Sequence, residues 1–510
     1  MEGLNEVLFR IVENDQDGKH LIAIRDIPAG KVIFSESPLA QGPSPDHPND
    51  DDICIICLSE LEHPKVCSNC FWPVCSSECG RSSRHKMECA TLAACARESE
   101  EDLLPLRHLL VMRCLQMKHR DQYSWEKLLD MEDHHGVQTL IRNIEDELSD
   151  MDRMELKYFI RESCGMGIKS ELDIVADIVQ SSSIQVECEL QEPFPAVYLT
   201  GGLLAQACVP NTVLRFDRDQ KYLLSAFSGR KIAKGEKLTF CPLKNLIRTG
   251  TRERRRKLNK RLINCFCDRC TDPTECQSHS SAFICQKCPP SNHGGQRPGV
   301  ILPRNPMADE SEWACQICNY TMTSDTADKL LHRLRDSLEA TKCEDSEVKF
   351  KDFLRTNRDI LHPNHYLMVA CKESLFNLKT SDARALDISI ADKLEAVDLG
   401  LDLLKLVDIL EPGLSEMRGK LLLTLGTTLQ EMLSQEIMNR MESPDQAELD
   451  ERHIYSAFHD ALFCFEEAKK IQRLNKTAKG REVYSTIKSS IHVLKDMKRD
   501  FEKSYNSGTN

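Results

Sequence analysis

The chain has 510 residues, 41% of them hydrophobic and 29% charged, with a formal net charge of −13. That length exceeds one ordinary core and predicts about three folded units, while the composition excludes a disordered or fibrous chain. The negative balance excludes a protein-wide basic field for gripping nucleic acid.

The amino-terminal MEGLNEVLFRIVENDQDG has acidic residues where a secretion signal needs a basic start. No window approaches about 18 uninterrupted apolar residues. The expectation is an intracellular protein of cytoplasm and nucleus, without membrane contact, whose 24 cysteines serve metals rather than disulfides.

Residues 5 to 40 alternate apolar and polar positions (VLFRIVEN, HLIAIRDI, KVIFSES), which predicts a small β meander. Gln41 to Asp52 reads as a proline-rich acidic linker. From Glu98 to Ile178 the stretches LLPLRHLLVMRCLQM and WEKLLDMEDH space apolar residues three and four apart, as a helix does. Ile184 to Phe240 returns to strand character, with Ala233-Lys-Gly235-Glu236 as a turn. Arg252 to Arg261 is densely basic and reads as a solvated helix face; any nucleic-acid role would be confined to it. Beyond residue 318 the chain is helical to its end, which predicts antiparallel helix hairpins. A tetratricopeptide-like array and an ordinary helical domain both remain open there.

Three cysteine groups carry chemistry. Cys54, Cys57, Cys67, Cys70, Cys75, Cys79, His85 and Cys89 offer eight ligands, enough for two tetrahedral zinc ions in a stretch with little core of its own. Cys265, Cys267 and Cys270 offer three thiolates where zinc needs four. Cys285 and Cys288 with Cys315 and Cys318 form a complete set like a zinc ribbon, with Trp313 and Tyr320 available to cover it. Most other cysteines, such as Cys95, Cys114 and Cys464, sit in apolar helical patterns and read as small buried hydrophobes.

The first spacing resembles the MYND finger, whose interleaved pattern implies one ion on Cys54, Cys57, Cys75 and Cys79 and another on Cys67, Cys70, His85 and Cys89. The order of parts resembles the SMYD family, in which a SET methyltransferase domain is split by a MYND finger. The resemblance is carried by Ile27-Pro-Ala-Gly30-Lys-Val-Ile-Phe34 with Pro38-Leu39, by Gly235-Glu236, and by Thr251 with Arg254-Arg255-Arg256 and Leu258. Leu361-His-Pro-Asn-His365, Pro412-Gly-Leu414 and Arg418-Gly419 carry it into the tail. The extra CxxC pair and Leu302-Pro303-Arg-Asn-Pro306 are most similar to the arthropod SmydA branch.

The resemblance implies a multidomain α+β chain: SET segment 1–45, MYND finger 53–89, helical insert 95–180, SET core 181–245, post-SET 246–275, ribbon-like segment 280–322 and an all-α, tetratricopeptide-like domain 323–510. It also implies that Cys208 closes the zinc set of Cys265, Cys267 and Cys270, giving four zinc ions in all. The family's cofactor is S-adenosylmethionine, and its contact positions are degenerate here. Gly18-Lys19-His20 replaces a Gly-x-Gly loop, Ala205-Gln206 replaces an Asn-His pair, and Ser182 stands for an asparagine. Ile263 stands where an aromatic would stack on adenine, and Phe240 stands for the active-site tyrosine.

The reading is therefore a SET/MYND protein with a degenerate catalytic site, acting mainly as a protein-binding regulator or corepressor scaffold through the finger and the helical tail. The alternative is an active S-adenosylmethionine-dependent lysine methyltransferase of histone or non-histone proteins, with Thr239, Cys241 or Tyr198 standing in for the missing tyrosine. Nucleic-acid binding through the basic run is the third and least favoured reading.

Overall fold

The computed structural model describes residues 7–14, 18–44, 52–62, 65–95, 108–131, 154, 169–188, 191–288, 299–381, 389–442 and 449–508. Most of the expected acidic linker, the centre of the helical insert and the ribbon's 289–298 segment lie outside the described residues.

Within them the strands β1 (Phe9–Asn14), β2 (Gly18–Ala23), β3 (Val32–Glu36) and β4 (Ala40–Gln41) open the chain, and β5 (Lys65–Val66) and β6 (Pro73–Val74) lie inside the first cysteine group. Helices α1 (Ser77–Arg81), α2 (Ser83–Cys95), α3 (Leu109–Arg120), α4 (Gln122–Leu129) and α5 (Lys169–Ser182) follow. Six strands come next: β7 (Ile184–Cys188), β8 (Gln191–Val197), β9 (Ala205–Gln206), β10 (Thr212–Asp217), β11 (Leu223–Ser228) and β12 (Thr239–Phe240). Two helices, α6 (Thr251–Asn259) and α7 (Asp268–Thr271), lead to β13 (Phe283–Ile284), β14 (Val300–Pro303), β15 (Trp313–Cys315) and β16 (Thr321–Met322). The tail is α8 (Ser324–Glu344), α9 (Glu347–Asn357), α10 (Tyr366–Lys379), α11 (Ile390–Leu410), α12 (Glu416–Glu442), α13 (Glu451–Gln472) and α14 (Ala478–Gly508). The chain is thus mixed α+β with an all-helical end.

The expected meander is not a continuous one. β1 and β2 form an antiparallel hairpin, but β3 pairs with β11 and β4 with β8. The corner at Pro28-Ala-Gly30 causes the departure: Gly30 takes φ +77° and donates to the Ser228 carbonyl, while Ile27 bridges Ile232. Alternation along a strand marks its buried face and says nothing about its partner. Three-stranded sheets β10-β11-β3 and β4-β8-β7 result, and β9 pairs in parallel with β12.

One core joins these sheets to helices α3 to α5 and to the inner face of the first cysteine group. Cys54, Cys70 and Trp72 share it with Leu21, Ile27, Phe194 and Tyr198. A second core lies among α11 to α14, where Leu422, Leu425, Leu429, Phe458 and Phe465 are buried, each contributing about 1.5–3 kcal/mol. Side-chain caps set the helix starts, with Ser389 accepting from the Asp392 amide and Asp450 from the His453 amide. Ile247, between the two halves, belongs to the tail's core. Among the described residues no helix is long and apolar enough to cross a membrane.

Candidate metal centres and cofactor site

The fold brings together four sets of four ligand atoms. They are Cys54, Cys57, Cys75 and Cys79; Cys67, Cys70, His85 and Cys89; Cys208, Cys265, Cys267 and Cys270; and Cys285, Cys288, Cys315 and Cys318, with the atoms of each set within 4.8 Å of one another. Neighbouring sulfurs stand 3.6 Å apart at Cys57–Cys75, 3.8 Å at Cys67–Cys89, 3.6 Å at Cys208–Cys270 and 3.7 Å at Cys288–Cys315. An ion holding thiolates at about 2.3 Å in a tetrahedron separates them by about 3.8 Å. His85 turns Nε2 to the Cys70 sulfur at 3.9 Å. The donor sets and their spacing therefore fit zinc.

Local structure explains each set. In the first group the β5-β6 hairpin carries Cys67 and Cys70 in its connecting turn, where Phe71 takes φ +59°, and α1 and α2 supply Cys79, His85 and Cys89. Ser76 caps α1 by accepting from the Cys79 amide. In the last set β13 to β16 form one antiparallel sheet that presents two tight CxxC turns. Trp313 is buried against Phe283, while Tyr320 is more than a third exposed. Gly299 is needed there, since a Cβ would stand 2.5 Å from the Cys288 sulfur and 2.8 Å from that of Cys315. Cys114 and Cys464 are buried in helices; the side chain of Cys95 lies outside the described residues.

Cys208 is fully buried and sits 3.9 Å from Cys265 and 3.6 Å from Cys270, sulfur to sulfur. Its backbone amide donates to the Cys267 sulfur at 3.3 Å. Asn211, three residues on, fixes this loop: its Nδ2 donates to Glu236 Oε1 and the Lys237 carbonyl, and its Oδ1 accepts from the Thr239 amide.

Several of the positions expected to contact the cofactor make their contacts within the chain. Gln206 pairs with Phe240 in the β9-β12 ladder, and its Nε2 donates to the sulfurs of Cys241 at 3.5 Å and Cys208 at 3.9 Å. His20 is buried and its Nδ1 is 3.0 Å from the Gly18 carbonyl, two residues back. Lys19 reaches Asp130 at 3.5 Å. Ile263 packs with Cys208, Leu258, Cys265 and Cys270, and Ala205 is buried. Ser182 lies beside Gly202, where a Cβ would meet the Met131 methyl at 2.4 Å and the Ser182 carbonyl at 3.3 Å. The hydroxyls weighed as substitutes are engaged: Tyr198 donates to the Tyr222 carbonyl at 2.7 Å, and Thr239 Oγ1 accepts from the Asn211 amide at 2.9 Å.

No family model matches the chain. Two curated relatives from Drosophila melanogaster align with it. SET domain-containing protein SmydA-8, isoform B, is 26% identical over 323 residues, 61% of this chain and 67% of that protein. Isoform A of the same protein is 24% identical over 315 residues, 59% of this chain and 63% of that protein. The chain is thus similar to SmydA members of the SMYD family of SET-domain proteins. The alignments span about two thirds of each relative's length.

The basic run is a solvated face only in part: Arg256, Lys257 and Lys260 are exposed, but other members turn inward. Arg254 is fully buried on Glu275, Arg252 pairs with Asp328 beneath Trp313, and Arg261 reaches the Ser183 carbonyl. Sequence reasoning also missed Arg113, whose buried guanidinium grips Glu88 and the carbonyls of Gln41 and Ile55. A lone arginine in the apolar stripe LLVMRCLQM was the available signal. The tail holds a carboxylate trio as well, Glu347, Asp392 and Glu395, but the ammonium of Lys379 fills it at 2.8–2.9 Å from all three. That trio is an ion-pair network.

Proposed function

We propose that this chain is a SMYD-type protein acting mainly as a protein-binding regulator, a corepressor-type scaffold of cytoplasm and nucleus, in which the catalytic site has decayed while the metal-braced frame is kept. One observation supports the reading: several side chains at the expected cofactor positions pack or hydrogen-bond within the chain. His20, Ala205 and Ile263 are buried, and the Gln206 amide faces sulfur. Phe240 brings no hydroxyl. A site for S-adenosylmethionine needs polar groups turned toward an open cleft, and these residues do not fit that group. Loss of one transition-state donor alone costs about 2.7–4 kcal/mol.

The metal sets support the other half of the reading. Zinc at all four would supply about 10 kcal/mol or more of folding free energy per site, with Cys54 to Cys89 as a MYND finger and Cys208 tying the post-SET segment to the SET core. The finger exposes Val66 and Phe71, which suits docking of a short partner peptide, with the helical tail as a second surface. The test is isothermal titration of the full chain with S-adenosylmethionine. Absence of heat up to millimolar ligand is the expected result; micromolar binding would overturn the reading in favour of a working lysine methyltransferase.

A further inference from the structure

Arg254 has no exposed surface, and all its resolved partners lie within the fold. Its Nη1 donates to Glu275 Oε2 and to the Thr249 carbonyl, both at 2.7 Å. Its Nη2 donates to Thr251 Oγ1 at 2.9 Å and to the Cys270 sulfur at 3.9 Å. Arg269, equally buried, donates Nε to the same Glu275 oxygen at 3.1 Å. Two guanidiniums thus share one carboxylate, and the triad holds one positive charge in excess. A buried charge of that kind needs a counter-charge close by. Glu411 lies near Arg269, and both arginines feel the sulfurs of Cys208 and Cys270, but it is Arg254 whose Nη2 reaches the Cys270 sulfur.

Neutral thiols would not answer a cation, but four thiolates around a divalent zinc carry a net charge of −2. The Cys208 set is also the one most removed from water: Cys208 and Cys270 are 0% exposed and Cys265 is 2% exposed, whereas the Cys54 set includes the exposed Cys75. Sulfurs of other sets receive neutral donors, Asn69 Nδ2 at Cys89 and the amides of Ile317 and Cys318 at Cys315. We propose that Arg254 is the outer-sphere partner of a zinc ion held by Cys208, Cys265, Cys267 and Cys270, donating to the Cys270 sulfur and balancing the buried charge of the four thiolates.

The proposal rests on the zinc reading above, and its test separates the two. The full chain is challenged with a chelator and a thiol-alkylating reagent, and alkylation of each cysteine peptide is followed by mass spectrometry. In wild type the Cys208 set is expected to stay protected; free alkylation there would overturn the zinc reading itself and this inference with it. Arg254→Gln should speed metal loss from this set about tenfold to a hundredfold and leave the Cys285 set unchanged. Glu275→Gln breaks the same ion pair but keeps a cation facing Cys270, so it should preserve protection. If wild type is protected and Arg254→Gln changes nothing, or if both variants lose metal equally, the inference falls alone. Should Arg254→Gln fail to fold, loss of protection in Glu275→Gln would be enough to overturn it.

Discussion

Gly413 lies against Gly229 so closely that a Cβ on Gly413 would stand 2.2 Å from the Gly229 carbonyl oxygen. The next residue, Leu414, donates its amide to that oxygen at 2.8 Å, and its side chain lies 3.4 Å from where a Cβ on Gly30 would sit. Arg215 on β10 adds an ion pair to Glu416 at the start of α12. The corner between α11 and α12 is therefore seated directly on the β-rich half.

Gly413→Ala meets two penalties at that corner. Gly413 has φ +76°, and a left-handed residue with a Cβ costs about 1–2 kcal/mol. The clash with backbone cannot relax through a side chain and adds about 1–3 kcal/mol. The expected outcome is a destabilised tail, read as a lower urea midpoint and faster proteolysis between α11 and α12. An unchanged midpoint would show that this contact does not hold the two halves together.

Arg113 ties three distant parts together. Its Nε and Nη2 hold Glu88 at 3.0 and 2.9 Å, Nη1 reaches the Gln41 carbonyl at 2.6 Å, and Nη2 reaches that of Ile55 at 2.7 Å. Arg113→Ala leaves the Glu88 carboxylate buried without its partner, which costs about 3–5 kcal/mol. Replacing both residues with leucine should recover much of that loss, since neither charge is then stranded. Urea denaturation of the two variants checks this, and equal destabilisation would show that the carbonyl contacts matter more than the ion pair.

What the sequence revealed follows the range of each interaction. The sets Cys54 to Cys89 and Cys285 to Cys318 were legible because zinc ligands recur at short spacings that a tight turn imposes. Cys208 was legible only through family resemblance, because its partners lie far along the chain. The partner of β3 was not legible, since strand alternation carries no address. Nor was the segment after Asp272, where Glu275, Cys276, Gln277 and His279 all take positive φ without a glycine to announce it. Asp272 accepts from the Thr274 and Cys276 amides, and Arg254 and Arg269 hold Glu275, so tertiary contacts impose that turn. The same contacts explain why Arg254 is buried inside a run that composition alone assigns to solvent.

Cys208 and Cys241 lie side by side around the Gln206 amide, and both are buried. Only Cys208 has its sulfur within the four-ligand set. Cys208→Ser should therefore lower the zinc content of purified protein by one ion and expose Cys265, Cys267 and Cys270 to alkylation. Cys241→Ser should keep the full metal count. Elemental analysis of the two variants decides it; a lost ion in the Cys241 variant would move that residue into the ligand set.

His365 gives the tail a pH dependence that can be isolated. It is fully buried, its Nδ1 accepts from the Leu367 amide at 3.2 Å at the start of α10, and burial pushes its pKa down to about 3. His362, less deeply buried, is pushed down to about 4. A histidine whose folded pKa lies below its unfolded value of about 6.5 contributes fully above that value, and the contribution is lost as pH falls toward the folded pKa. Between pH 6.5 and 5, His365 alone should remove about 2 kcal/mol. The groups facing it are Glu275, His362 and the stacked ring of Tyr366. Asparagine at 365 can still accept from the Leu367 amide as a cap but does not titrate. His365→Asn should therefore flatten the fall in urea midpoint between pH 7 and pH 5 relative to wild type, and thiolate protonation at the metal sets, common to both proteins, drops out of the comparison. Equal slopes for the two proteins would assign the acid sensitivity to groups other than His365, namely His362 and the metal sets.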